Sequence, residues 1–310
     1  MPDVLGIDTS NYTTSAALLK GGTISQSKKL LPVRPGEKGL RQSDAVFHHV
    51  QQLPGVLDAL PFADVSIAAV GASDRPRSEE GSYMPCFLVG AAAAKAAALP
   101  LGVPLYTFSH QQGHIAAALY SAGKLNLLET RFLAFHVSGG TTEAVLCTPD
   151  RERIFTTKIA ARSLDLKAGQ AVDRAGVMLG LPFPAGPRLE KLALRSQAHF
   201  SVRPAMKGAD CSLSGVENRC RAMLDRGAPK EDIALFCLQS ILAALDGMAF
   251  ALRKQFGSLP LLFAGGVAGN SILRSALTQK YGACFAEPAF SADNAAGVAV
   301  LAALKGGILP

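Results

Sequence analysis

Apolar residues along this 310-residue chain fall into short continuous runs that alternate with three-to-four spacings, the pattern of strands interleaved with helices. Residues 4–8 read as a strand that enters a hairpin and returns through Ala16-Ala17-Leu18-Leu19. Gly21-Gly22 then turns the chain into a third strand over 23–30. The segment 32–43, rich in charge, Pro and Gly, is expected at the surface. A helix over 45–60, a strand over 65–71, a helix over 84–99 and a strand over 103–107 follow. Ser109 is placed to cap a helix over 110–121. An order of three strands followed by alternating helix and strand predicts a ribonuclease-H-like lobe.

The second half begins the same way. A hairpin is expected over 133–147, a third strand near 154–159 and a helix over 164–181 ended by Gly180 and Pro182. Phe183-Pro184-Ala185-Gly186-Pro187 is a rigid turn before a short helix over 188–195, and 200–213 reads as extended or irregular. Residues 230–256 form one long helix, with Leu235, Leu238, Leu242, Leu245, Met248, Ala249 and Leu252 on one stripe. A strand over 259–264, a helix over 270–281, a short strand over 283–286 and a last helix over 291–304 complete the chain.

The two hairpins align without a gap. Leu5 falls on Leu133, Ser10 on Ser138, Thr13 and Thr14 on Thr141 and Thr142, and Leu18 on Leu146. Each is strand, hydroxyl-rich turn, strand, and each opens one half of the chain, which suggests a duplicated architecture. In the second copy Ser138-Gly139-Gly140 offers backbone amides and hydroxyls to one concavity, and glycine there permits positive φ; such a nest suits a phosphate. A plain hairpin has the same appearance. The expected lobes are residues 1–125 with 288–310, and residues 126–287.

Composition adds boundaries. Hydrophobic residues make up 49% and charged residues 18%, which excludes a disordered chain. The six cysteines contain no C-x-x-C pair and read as small buried hydrophobes in a reducing compartment. No leader peptide is apparent, and the apolar stretch 88–105 is interrupted by Lys95, Pro100 and Pro104, so a cytoplasmic protein without a membrane span is expected. The formal net charge of +7 suits a phosphate-rich partner such as tRNA, as weak support.

Three stretches carry candidate chemistry. His110 and His114 lie four apart on one helical face, which is metal-ligand spacing, although two polar residues at a helix start would look alike. A third ligand must come from elsewhere; Asp293, at the expected start of the last helix, is the candidate, and a helix-capping carboxylate is the alternative. Ala264-Gly265-Gly266-Val267-Ala268-Gly269-Asn270 lies at a strand-to-helix turn suited to a nucleotide. Asp173 is placed to bond a ribose hydroxyl or to pair with Arg174.

Taken together, these stretches resemble the TsaD (YgjD) and Kae family, once called O-sialoglycoprotein endopeptidases, of the actin/hexokinase/Hsp70 (ASKHA) superfamily. The resemblance covers nearly the whole chain. It rests on Gly6-Ile7-Asp8-Thr9-Ser10, His110 with His114, Val137-Ser138-Gly139-Gly140, Gly169 with Asp173, Pro184-Ala185-Gly186-Pro187, Arg203-Pro204-Ala205-Met206, Ser212-Leu213-Ser214-Gly215, residues 264–270 and Asp293-Asn294. It implies two ribonuclease-H-like lobes around a nucleotide cleft and transfer of threonylcarbamoyl from its adenylate to N6 of adenosine 37 in tRNA. It further implies a transition metal on His110, His114 and Asp293, iron before zinc. Val137, Ser138, Gly139, Gly140, Asp173, Gly186 and Asn270 would hold an adenine nucleotide or threonylcarbamoyl adenylate, with or without Mg. The implied partners are tRNA and the proteins of a tRNA-modification complex.

The departures point the other way. Where the family has Cys-Asp-Glu-Thr, this chain has Asn11-Tyr12-Thr13-Thr14, so an acidic pair able to orient or deprotonate the attacking amine is missing. Thr141 replaces a His, Gln112 replaces a Glu, and 73–80 replaces a glycine-rich segment. Asp8 and Thr13 are the remaining weak candidates for a catalytic group. The chain reads as a divergent paralogue. The alternative is a non-catalytic nucleotide-binding regulator of the true transferase. A small-molecule kinase using Asp8 or Asp74 as base is a third reading, and a peptidase is disfavoured because His-x-x-x-His lacks the water-activating Glu.

Overall fold

A computed structural model describes residues 2–10, 12–33 and 39–309; Asn11 of the first hairpin turn and residues 34–38 of the expected surface loop lie outside them. The chain divides into two compact units. Unit 1 comprises Met1–Leu128, Pro149–Thr156 and Ala289–Pro310; unit 2 comprises Glu129–Thr148 and Thr157–Pro288.

Unit 1 contains β1 (Asp3–Ser10), β2 (Thr13–Lys20), β3 (Thr23–Leu30), α1 (Gln42–Asp58), β4 (Ile67–Arg75), α2 (Phe87–Leu101), β5 (Leu105–Ser109) and α3 (His110–Ser121). Its sheet runs β3-β2-β1-β4-β5. The β1–β2–β3 meander is antiparallel, while β4 and β5 join in parallel, as crossover helices require. Leu5 and Ile7 of β1, Ala16 and Leu18 of β2 and Val70 and Ala72 of β4 pack with Leu53, Val56, Ala94 and Ala98 of α1 and α2 to make one core.

The second sheet is built from β6 (Phe132–Val137), β7 (Thr142–Asp150), β8 (Ile154–Arg162) and, after the helices α4 (Ala168–Met178) and α5 (Gly186–Ala193), from strands later in the chain. A small hairpin, β9 (Ala205–Lys207) with β10 (Asp210–Ser212), precedes α6 (Ser214–Asp225) and the long α7 (Lys230–Phe256). Then come β11 (Leu261–Ala264), α8 (Ser271–Tyr281) and β12 (Cys284–Phe285). The order β12-β11-β6-β7-β8 repeats that of the first sheet, element for element. The registers agree as well: Leu5 pairs Leu18 and Thr9 pairs Thr14 in β1–β2, and Leu133 pairs Leu146 and Val137 pairs Thr142 in β6–β7. The gapless alignment of the two hairpins is thus an alignment of backbone pairings. The last helix, α9 (Ala296–Lys305), belongs to unit 1.

α7 is long and apolar enough by composition to cross a membrane, yet two-thirds of its apolar window (67%) is buried as the spine of unit 2. All six cysteines are free, and five are buried.

Three expectations need correction. The helix foreseen over 164–181 begins only at Ala168, because the Asp165 carboxylate gathers the amides of Leu166, Leu213 and Ser214 and keeps 163–167 irregular. α6 was not foreseen: it buries only Val216 and Cys220, so its sequence carries almost no apolar stripe. The last helix starts at Ala296 rather than 291, which leaves Asp293 in the preceding bend and not at a helix-capping position.

Candidate metal centre and nucleotide turn

His110 and His114 occupy the first two turns of α3, whose start is fixed by a reciprocal cap. The Ser109 hydroxyl accepts from the Gln112 amide, and the Gln112 side-chain oxygen accepts from the Ser109 amide. The rings stand edge to face with centroids 4.3 Å apart. Asp293 completes the cluster: its Oδ1 lies 3.0 Å from His114 Nε2 and 3.4 Å from His110 Nε2. One ligand atom from each of the three residues falls within 4.8 Å of the others.

Residues 110 and 293 are brought together by backbone contact between small residues. An added Cβ on Gly297 would stand 1.7 Å from the Gly113 carbonyl oxygen, so α9 crosses α3 with nothing between the two backbones. The same helix lies on the sheet through Gly6 and Gly71, where a Cβ would meet the carbonyl oxygens of Ala295 at 2.6 Å and Val298 at 2.3 Å. Gly113 sits between the two histidines and Gly297 four residues after Asp293. These glycines set the distance between the ligands.

Two further residues reach the cluster from the first hairpin. Asp8, 1% exposed, accepts from His110 Nδ1 at 2.7 Å through Oδ2 and from the Ser10 amide at 2.9 Å through Oδ1. Thr13 donates to Asp293 Oδ2 at 3.1 Å. Burial pushes the Asp8 carboxyl up, but the charge of His110 and its hydrogen bond outweigh burial and hold it below the ordinary range. Burial likewise opposes charge on His110, yet the carboxylates of Asp8 and Asp293 raise it to about 10. Burial of Asp293 is overcome by hydrogen bonds from both imidazoles, which keep it well below the usual carboxylate value. Without a metal, His110 is therefore an imidazolium donating to two carboxylates. A carboxylate on Nδ1 that leaves Nε2 toward the other donors is the usual setting of a metal-ligating histidine. Two imidazole nitrogens and one carboxylate oxygen fit zinc and non-haem iron alike.

Asp8 and Thr13 are thus both engaged in the cluster. Asp74, the other carboxylate considered as a base, pairs with Arg75. Gln112 also has a structural occupation: its Nε2 donates to the carbonyls of Arg153 (3.2 Å) and Phe155 (2.9 Å), which a Glu could not do.

In unit 2 several of the expected nucleotide residues are held by short bonds to their own neighbours. The Val137 carbonyl accepts from Val267, and the Ser138 amide and hydroxyl close the turn onto Thr141. The amides of Gly139 and Gly140 take part in no hydrogen bond among the described residues. Neither glycine has positive φ, and a Cβ on either would meet nothing within 4 Å, so the fold does not demand glycine there, contrary to the expectation for this turn. The demand falls on two residues not singled out for it. A Cβ on Gly169 would stand 2.6 Å from the Gly139 backbone, and Gly265, at φ +100°, would meet the Val137 carbonyl at 2.4 Å.

Asp173, on α4, accepts from the Ala185 amide at 2.8 Å and so holds the turn that carries Gly186 at the start of α5. Arg174 pairs with Glu217 instead of Asp173. Asn270 is the N-cap of α8, its Oδ1 accepting from Ile272 and Leu273.

The chain is 31% identical to the tRNA N6-adenosine threonylcarbamoyltransferase of Thermosipho africanus, over 96% of this chain and 92% of that protein. It is 28% identical to the enzyme of the same name from Chlorobium chlorochromatii, over 97% and 92%. Among solved structures, HypF of T. kodakarensis superposes with a TM-score of 0.59 at 14% identity, over 99% of this chain and 47% of that one. Component A of the (R)-2-hydroxyglutaryl-CoA dehydratase of Acidaminococcus fermentans gives 0.55 at 17% identity, over 99% and 100%. These likenesses show the fold alone, two ribonuclease-H-like lobes. The family model for TsaD, tRNA N6-adenosine threonylcarbamoyltransferase, matches residues 35–300, and the chain is a divergent member of that family.

Proposed function

We propose that the protein transfers a threonylcarbamoyl group from its adenylate to N6 of adenosine 37 of tRNA, or to a closely related acceptor. The observation that carries the reading is the convergence of His110, His114 and Asp293, with ligand atoms within 4.8 Å, in a member of a transferase family. These three would hold iron or zinc, which supplies Lewis acidity toward a carbamoyl or phosphate oxygen when bound. Asp8 orients His110 by holding Nδ1. In unit 2, the amides of Gly139 and Gly140 would donate to the phosphates of the adenylate. Asp173, whose Oδ1 is taken by Ala185, would offer Oδ2 to a ribose hydroxyl, with Val137, Ser138, Gly186 and Asn270 around it. tRNA and the proteins of a tRNA-modification complex are the corresponding partners.

One observation favours a second reading. The position where the family resemblance implies an acidic pair holds Tyr12, 38% exposed, and Thr13, whose hydroxyl is committed to Asp293. The attacking amine therefore has no carboxylate at positions 12 and 13 to deprotonate or orient it, and the hairpin's Asp8 is engaged by His110 and the Ser10 amide; the loss is about 10²–10⁴ in rate where a general base operates. That is the composition of a slow transferase or of a nucleotide-binding regulator. The deciding experiment supplies threonylcarbamoyl adenylate and unmodified tRNA, with and without candidate partner proteins. Mass spectrometry of the digested tRNA measures the modified nucleoside for wild type and for His110→Ala with His114→Ala. Product from wild type alone establishes the transferase; no product under any condition, with metal and nucleotide bound, establishes the regulator.

A further inference from the structure

The two oxygens of Asp293 are differently employed. Oδ1 faces both imidazoles, at 3.0 and 3.4 Å, while Oδ2 accepts from the Thr13 hydroxyl at 3.1 Å. Asp293 stands in the bend between a short turn at Pro288–Phe290 and the start of α9, with no helix or strand to fix its side chain. The neighbouring Asn294 ties that bend to itself, donating to the carbonyls of Phe290 and Ala292 and accepting from Ala296. The rotation of the Asp293 carboxylate is set from outside the bend.

Thr13 is well suited to set it. It is 3% exposed and opens β2, with its backbone paired to Ser10 on one side and Leu30 on the other. Its β-branched side chain has few χ1 choices, so the hydroxyl is a fixed donor.

We infer that Thr13 is a positioning residue: by holding Oδ2 it makes Asp293 a one-oxygen ligand and aims Oδ1 at the histidines. The inference rests on the metal reading above. Without the hydroxyl, the carboxylate is free to turn and to offer both oxygens to the same ion, which changes both affinity and coordination number.

The test uses cobalt(II) as the probe, added to the metal-stripped full-length protein. Its dissociation constant is measured by competition with a chromophoric chelator, and its visible d–d band reports coordination number. Thr13→Val removes the hydroxyl and keeps the shape; Thr13→Ser keeps the hydroxyl. Thr13→Ala is the second hydroxyl-free variant should valine fail to fold. Loss of a partner that orients a metal ligand typically weakens binding about 10–100-fold. The valine and alanine variants are therefore expected to bind cobalt that much more weakly, with a weaker band as coordination expands, and serine to restore both. Wild-type affinity and spectrum in Thr13→Val would overturn the inference, as would equal losses in the valine and serine variants, which would assign the effect to packing. Wild type that takes up no cobalt would instead sink the metal reading itself.

Discussion

Replacing Gly297 by alanine tests how the three candidate ligands are brought together. The new methyl group would lie 1.7 Å from the Gly113 carbonyl oxygen, 2.5 Å from its carbon and 2.9 Å from its Cα. Carbon and oxygen approach to about 3.3 Å at best, so α9 must move from α3 by on the order of 1.5 Å. Both partners are backbone, and no side chain is available to swing aside. Overpacking of this kind costs about 1–3 kcal/mol, against which alanine returns roughly 0.5–1 kcal/mol of helix propensity. A net loss of about 1–2 kcal/mol corresponds to a fall in melting temperature of roughly 2–8 °C for a unit of this size. The displacement has a second consequence. Metal–ligand distances tolerate about 0.2 Å, and Asp293 is four residues from the substitution. Affinity for zinc or cobalt should therefore fall by at least about tenfold, roughly 1.4 kcal/mol. Thermal unfolding of the metal-free protein and a chelator competition give the two numbers. Gly55→Ala is the control: it lies inside α1, a Cβ there meets nothing within 4 Å, and the same chemical change should stabilise by about 0.5–1 kcal/mol. A Gly297→Ala protein as stable as the control, with unchanged metal affinity, would refute the reasoning.

Gln112→Glu, which introduces the residue that the family resemblance implies there, should destabilise this chain by about 1–3 kcal/mol, because the carbonyls of Arg153 and Phe155 lose their donors to a buried carboxylate. Urea unfolding checks it, and an unchanged midpoint would show that the two bonds are immaterial. Metal-free protein should also lose stability as pH rises. His110 titrates at about 10 when folded and about 6.5 when unfolded. Its contribution is fully present below pH ~6.5 and is lost as pH rises through the folded value. The urea midpoint of chelator-treated wild type should fall between pH 6.5 and 10 relative to His110→Gln, and parallel curves for the two proteins would contradict this.

How legible the molecule was in its sequence depended on distance along the chain. The hairpins were readable because strand, turn and strand are contiguous: the match of Leu5 with Leu133 and of Thr14 with Thr142 anticipated the backbone pairings. The histidine pair was readable because a helix fixes residues four apart on one face. Ser109 was readable as a cap for the same local reason. α6 was not, since Val216 and Cys220 are too few to make a period, and its start is held by Asp165 from 49 residues away.

The sequence by itself therefore indicated the two lobes, their duplicated hairpins and the candidate ligands His110 and His114 through local periodicity and turn chemistry, and it named Asp293 as the third candidate without showing what would bring it near them. Only the tertiary structure decided the rest. Asp293 meets His114 across 179 residues because Gly113 and Gly297 let two helices touch backbone to backbone. A glycine that permits such contact is indistinguishable in sequence from one that relaxes a turn. Gly139 and Gly140 drew attention as turn residues, whereas close packing demands glycine at Gly169 and Gly265. Steric demand belongs to the pair of surfaces that meet, and the second surface is supplied by folding.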